Sequence, residues 1–337
     1  MDFRTKVSLG WQGERISHNH SLIFFGSCFA DEVGGMFNAN KFKVLQNPFG
    51  VLYNPLSIAN AIERSLDEIS YSENDLIKAG NLYHSFSHHS LYSHSNREVM
   101  LENINTELKR CSCMLKSADF LFITFGTAWV YELKESGNVV ANCHKLPANI
   151  FARRRASVSE LTKRSAEVIA KLISTNPNIK IVLTVSPIRH LKDGAHENSL
   201  SKSTLLLVCE ELQNMFKENI SYLPTYEILL DELRDYRFYA DDMAHPSKKA
   251  VEYVWERIKE DVVSPESEAI IKEWGKIRQG ICHRLMSADI DGYKLFLNNL
   301  LKTAEAFADK YQYINIEQEI TEIKDRINNL TKQWNTP

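Results

Sequence analysis

The sequence predicts a three-layer α/β domain, a parallel sheet with helices on both faces, followed by a helical C-terminal appendage. Three observations carry this. Up to about residue 262, short apolar runs of strand length alternate with longer stretches of helical period. The runs are apolar at successive rather than alternate positions, as strands covered on both faces must be. From about Pro265 onward no such run occurs, and apolar residues recur only at helical spacing.

In chain order, Leu22–Phe25 is the first strand, stopped by Gly26, and the pattern after it predicts a helix over 28–39. A second strand over 42–45 precedes a helix over 55–67, and a helix over 97–116 leads into a third strand, 120–125. Helix 157–175 leads into strand 179–185, and helix 199–217 into a weaker strand at 220–223. Helices over 226–235 and 247–260 complete the domain. Strands separated by helices are joined by parallel crossovers, and such sheets bind ligands beyond the carboxyl ends of their strands. The appendage carries three apolar stripes, led by Ile270 and Trp274, by Phe296 and Leu300, and by Ile316 and Ile323. The expected division is 1–262 for the α/β domain and 263–337 for the helices. The exposed side of those helices is a candidate homo-oligomer contact.

Composition narrows the function. The chain has 337 residues, 44% of them hydrophobic and 25% charged, as in ordinary globular proteins. A formal net charge of -3 gives no electrostatic reason to bind nucleic acid or an anionic membrane. The first twenty residues contain charges but no apolar core of a secretory signal, and no run reaches the ~18 apolar residues of a membrane span. Six cysteines at 28, 111, 113, 143, 209 and 282 form no regular framework, so free thiols in a reducing cytoplasm are expected.

The chemistry gathers at predicted strand ends. Gly26-Ser27-Cys28-Phe29-Ala30 sets a serine where a strand becomes a helix, near the helix's positive end. Asp242-Met243-Ala244-His245 supplies an acid and an imidazole three residues apart, before Pro246-Ser247 opens a helix. Together they provide a nucleophile, a base and an orienting carboxylate. Gly50, closing Asn47-Pro48-Phe49-Gly50, and Gly126, opening Gly126-Thr127-Ala128-Trp129, each follow a strand and can present backbone N–H groups to an anion. Ser186-Pro187-Ile188-Arg189-His190 leaves the fourth strand on the same edge.

These strings, with Asn142-Cys143-His144-Lys145, resemble the GSCFA proteins, which are similar to the SGNH (GDSL-type) hydrolases. The resemblance covers roughly residues 1–260. It implies a flavodoxin-type fold, with Ser27 as nucleophile, His245 as base, Asp242 as its orienter, and neither metal nor cofactor. The SGNH third block usually reads Gly-x-Asn-Asp, its asparagine donating to the oxyanion, whereas Ala128 stands at that position here. The Ser27 and Gly50 N–H groups are then the backbone donors. Thr127, Asn47, His144 or His190 are candidates for the missing one, His190 first.

Other readings stand beside these. Ser27 could act only as a helix cap, Cys28 could be the nucleophile, and Asp241 could replace Asp242 as orienter. The segment His84–His94 reads as a surface or lid stretch rather than a metal site, and Arg153-Arg154-Arg155 as a solvated helix entry, with recognition of an anionic substrate as the minority reading. Arg189 and its neighbours would contact substrate. The activity implied is hydrolysis or transfer of an O-acyl ester on a small molecule or glycan, through a Ser27 acyl-enzyme. The rival is a non-catalytic ligand-binding protein on a degenerate SGNH fold.

Overall fold

The apolar runs become strands because each sends alternate side chains into two separate layers. In β1 (Ser21–Gly26), Ile23 and Phe25 enter one layer while Leu22 and Phe24 enter the other. With β2 (Lys43–Gln46), β3 (Phe120–Phe125), β4 (Lys180–Val185) and β5 (Ile220–Tyr222) it forms a five-stranded sheet in the order β5-β4-β3-β1-β2. Every pairing in it is parallel. The computed structural model describes residues 4–283 and 289–333.

Helix α1 (Cys28–Ala39) follows β1, and α2 (Pro55–Leu66), α3 (Arg97–Ser117), α4 (Val158–Thr175) and α5 (Ala195–Met215) precede α6 (Lys248–Val262). Residues of α2 to α5 pack in one layer with Ile23, Leu121 and Ile181, and α1 and α6 pack in the other with Phe24, Phe122 and Val182. Phe24 stacks on Phe122 with ring centroids 4.5 Å apart, and Phe37 meets Trp255 edge-on at 4.8 Å, joining α1 to α6 across that layer. Strand order 2-1-3-4-5 is flavodoxin-like, so the chain reverses its direction of travel between β1 and β3 and opens a crevice beyond their carboxyl ends. Gly26 ends β1 there with φ 144°, and an added Cβ would lie 2.3 Å from the Thr124 carbonyl oxygen. Only glycine allows β1 and β3 to approach so closely at the crevice.

Three expectations are corrected. The segment 226–235 forms a single helical turn, Thr225–Glu227, and then a π-helical stretch, Ile228–Glu232. Buried Glu232 there accepts from Arg257 at 2.9 Å and from the Val7 N–H at 3.1 Å, so tertiary bonds govern its geometry. The arginine run is a strand, Phe151–Arg155, in a small antiparallel sheet with Trp129–Leu133 and Val139–Val140. Its guanidiniums, though partly exposed, are all paired: Arg153 with Asp193, Arg154 with Glu132 and Glu160, and Arg155 with Glu197. Finally, His84–His94 is a surface stretch only in part: Leu91 is exposed, but His84, Ser85 and His88 are buried. It begins in a hairpin of Leu76–Ala79 and Leu82–Ser85, and His88 is buried between Phe49 and Tyr71 at centroid distances of 4.9 and 4.7 Å. Burial pushes His88 down to about 3.

After α6 come α7 (Pro265–Cys282), α8 (Ile290–Lys310) and α9 (Glu317–Gln333), whose stripes pack on one another around Trp274, Leu297, Phe307 and Ile323. Several contacts hold them to the α/β layers, among them the Lys41–Glu319 ion pair and the packing of Ile271. The Trp274 indole donates to the Ala39 carbonyl at 2.9 Å, and the Ser267 hydroxyl meets both the backbone N–H and the ring of His18. No helix among the described residues is long and apolar enough to cross a membrane.

Candidate active site

The cavity at the β1/β3 switch point has a volume of about 470 Å3 and includes Ser27, Cys28, Tyr53, Asn54, His190 and His245 in its lining. Ser27 reaches it because Gly26 ends the strand and Ser27 caps the helix that follows. Its Oγ accepts the Phe29 N–H at 3.3 Å, so the hydroxyl hydrogen is left to donate. The turn is braced from below by Asn47, whose Oδ1 accepts the Gly26 N–H at 2.8 Å and whose Nδ2 donates to Asp31 at 2.7 Å. Gly126 abuts the serine directly, since a Cβ there would lie 3.2 Å from the Ser27 Cβ and 2.9 Å from the Tyr53 carbonyl oxygen.

His245 comes from the loop before α6. Asp242 folds this loop by accepting the N–H groups of Ala244 and His245 on Oδ1, at 3.0 and 2.9 Å. Its Oδ2 lies 2.6 Å from His245 Nδ1. The backbone bonds, with the imidazole, hold the Asp242 carboxyl down at about 2. A carboxylate can only accept, so Nδ1 carries the proton and Nε2 of the neutral ring is free to take one. Ser27 and His245 line the same cavity without a direct hydrogen bond. Arg189 ties the two loops together, its N–H donating to the Ala244 carbonyl at 3.2 Å.

The remaining predicted residues divide. Thr127, Arg189 and His190 line the cavity. His190 is pushed down to about 4 by burial, then by the charges of Lys202 and His245, and its Nε2 is buried without a partner. Gly50 is not brought there: its N–H closes a turn onto the Asn47 carbonyl at 2.7 Å, and His89 occupies the space where its Cβ would be. The Ser27 N–H is likewise spent, on the Thr124 carbonyl at 3.2 Å. Asn47 is the brace beneath the turn, and His144 packs on His84 with Nε2 donating to the Ser85 carbonyl at 2.8 Å. Both backbone donors expected for an oxyanion are therefore occupied. Among the described residues, no group of three or more His, Cys, Asp or Glu is placed to hold a metal ion.

Two residues of the site were not singled out from the sequence. Asn54 lines the cavity and caps α2, its Oδ1 accepting the Ser57 N–H at 2.8 Å, so the cap uses the oxygen and leaves the amide NH2. The signal was present in Asn54-Pro55, a cap followed by proline at the first helical position. Lys202, fully buried on α5, donates to the Gly126 and Ser186 carbonyls at 2.6 and 2.7 Å and so joins the ends of β3 and β4. Burial, then the charge of Arg189, pulls its ammonium down to about 7. Nothing in a helical pattern marks such a lysine.

The fold and this cavity define a flavodoxin-like α/β protein with a serine, a histidine and an aspartate gathered at its switch point. The chain belongs to the GSCFA family, whose model matches residues 21–258, and a second model, the GSCFA domain protein C-terminal domain, matches residues 274–329. No curated protein matches it. Among solved structures, the chain is similar to an acetyl xylan esterase, Est2A, from the rumen bacterium Butyrivibrio proteoclasticus. The TM-score is 0.35 and the identity 12%, over 74% of this chain and 66% of that one, a little under two thirds of the esterase.

Proposed function

We propose that the protein is a serine hydrolase that cleaves or transfers an O-acyl group carried by a small molecule or a carbohydrate. One observation carries the reading: Ser27 and His245 line a single cavity, and Asp242 holds the imidazole in the tautomer that can accept a proton. In this mechanism Ser27 Oγ attacks the ester carbonyl carbon while its proton passes to His245 Nε2. The tetrahedral intermediate collapses, the ester C–O bond breaks, and the leaving alkoxide takes that proton. Water, deprotonated by the same nitrogen, then attacks the acyl-Ser27 carbonyl, the acyl–Oγ bond breaks, and Nε2 returns the proton to Ser27 Oγ as the acid leaves; an acceptor alcohol in place of water gives transfer. Proton transfer needs Nε2 within ~2.6–3.2 Å of Oγ. The half-exposed Asp242–His245 turn is the element whose movement completes that contact.

With the Ser27 and Gly50 N–H groups occupied, the oxyanion needs side-chain donors, and among the lining residues Asn54, through Nδ2, and His190, through an Nε2 that is buried and unpartnered, are our candidates. The same occupied N–H groups favour the second reading, a binding protein that retains the cleft without the chemistry. Labelling with a fluorophosphonate decides between them. The hydrolase reading expects one adduct, on Ser27, lost in Ser27→Ala and in His245→Ala and retained in Cys28→Ala. Their effects on esterase rate should be non-additive, because the two residues act as a unit. An unlabelled native protein supports the binding reading, and loss of labelling in Cys28→Ala alone moves the nucleophile to Cys28.

A further inference from the structure

We infer that the ester bound here carries an anionic group, a carboxylate or a phosphate, which Arg189 anchors beside Ser27; this rests on the hydrolase reading for the ester and on charge for the anion. Four side chains of fixed charge line the cavity, namely Arg153, Arg189, Lys192 and Asp193. Asp193, the one acid, is spent on Arg153, which holds it through two parallel bonds of 2.5 Å each while stacking 4.2 Å over Trp129. Lys192 donates to the Tyr131 hydroxyl at 3.0 Å, a neutral partner. The Arg189 guanidinium has no carboxylate partner among the described residues, although its backbone is pinned to the His245 loop.

Beneath them the buried Lys202 ammonium is satisfied by two carbonyls and by no acid. Arg189 and His190 lie close enough to Lys202 for their charges to be felt. Two nearby acids outside the lining have their oxygens held by neutral donors, Asp242 by His245 and Asp31 by Gln46 and Asn47, which keeps them from reaching Arg189. In a chain of formal net charge -3, the lining of this one small cavity thus carries three cationic side chains against one acid. A low-dielectric cleft of one sign concentrates ligands of the other, and a guanidinium fork matches carboxylate and phosphate oxygens. A volume of about 470 Å3 suits a small acylated molecule rather than a polymer segment of several units.

The test measures how fast a fluorophosphonate labels Ser27 in the full chain in the presence of glucuronate, inorganic phosphate or glucose. One or both anions should slow labelling at concentrations about tenfold or more below those at which glucose does, and added salt should weaken that protection. Protection by glucuronate alone assigns a carboxylate, by phosphate alone a phosphate, and by both the shared anion site. Arg189→Gln should raise the protecting concentration about tenfold, while Arg189→Lys, which keeps the charge but not the fork, should give a smaller rise in the same direction. Should Arg189→Gln misfold, Lys192→Gln at the rim gives a smaller shift in the same direction. Glucose protecting as well as both anions, or no protection by either anion, overturns the inference. If Ser27 is not labelled at all, the hydrolase reading fails, and calorimetric titration of the same three compounds still reads the anion site.

Discussion

Replacing Asp242 with asparagine isolates the part of the mechanism that depends on a single proton. The amide keeps an oxygen for the N–H groups of Ala244 and His245, now held at 3.0 and 2.9 Å, so the turn survives. The other side of the group changes character: an NH2 now stands where Oδ2 lies 2.6 Å from His245 Nδ1. Two donors cannot face each other at that distance. The ring relieves the clash by shifting its proton to Nε2, the nitrogen that must accept from Ser27. An imidazole in the wrong tautomer costs ~10⁴ in turnover. Asp242 is exposed on its loop, so thermal unfolding should be nearly unchanged. Steady-state hydrolysis of 4-nitrophenyl acetate, read beside fluorophosphonate labelling, measures the loss. If Asp242→Asn keeps a rate within tenfold of the native protein while Ser27→Ala is inactive, Asp242 does not set the tautomer and the reasoning is wrong.

Gly26→Ala should destabilise the fold by ~3 kcal/mol or more in urea titration, since its Cβ would lie 2.3 Å from the Thr124 carbonyl at φ 144°; a loss below ~1 kcal/mol would show that β1 and β3 can part there. Asn54→Asp keeps the oxygen that caps α2 but loses the amide donor, so kcat should fall ~10²-fold with stability retained, whereas Asn54→Ala should also cost ~1 kcal/mol. Full activity in Asn54→Asp would leave the oxyanion to His190, whose alanine variant would then show the kcat loss with KM little changed. Buried His88, pushed down to about 3 from an ordinary value near ~6.5, makes the unfolded chain the better proton binder between those values. Its stabilising share is therefore complete above ~6.5 and declines as the pH falls towards 3. His88→Gln should flatten the fall in unfolding free energy with acid over that window, and an unchanged slope would assign the acid sensitivity elsewhere.

The parallel sheet was legible because β1, β3 and β4 are apolar at successive positions, a pattern that two covering layers impose. Ser27 and the Asp242–His245 pair were legible because a turn glycine and a three-residue loop spacing are local features. What escaped depends on partners distant in sequence. The arginine strand Phe151–Arg155 carries charge at three successive positions, which hides its period, and acids at 132, 160, 193 and 197 neutralise it. His88 reads as polar but is buried because Phe49 and Tyr71 close around its ring. The Gly50 N–H looked available because a following glycine can open towards a ligand, yet the turn back to Asn47 consumes it.

The absence of asparagine from the third block then has a structural reason. Ala128 is buried among the apolar side chains of the core, its N–H donates to Ser201 Oγ at 2.8 Å, and its carbonyl accepts the Ala156 N–H at 2.9 Å. An amide at that position would enter apolar packing rather than the cavity, at the cost of burying a polar group without a partner. Ser201 and Lys202 on α5 instead lock the third-strand turn in place, and the Gly126 and Thr127 N–H groups both donate to the Tyr53 carbonyl, at 2.8 and 2.9 Å. That pair of bonds draws the 53–54 backbone up against Ser27. It places Asn54 in the lining of the cavity, on a helix start that fixes its amide by using its oxygen. The residue type that the third block lacks is thus present one loop away, in an orientation set by its role as a cap. An activity that survives Ala128 and fails in Asn54→Asp is the signature of that relocation.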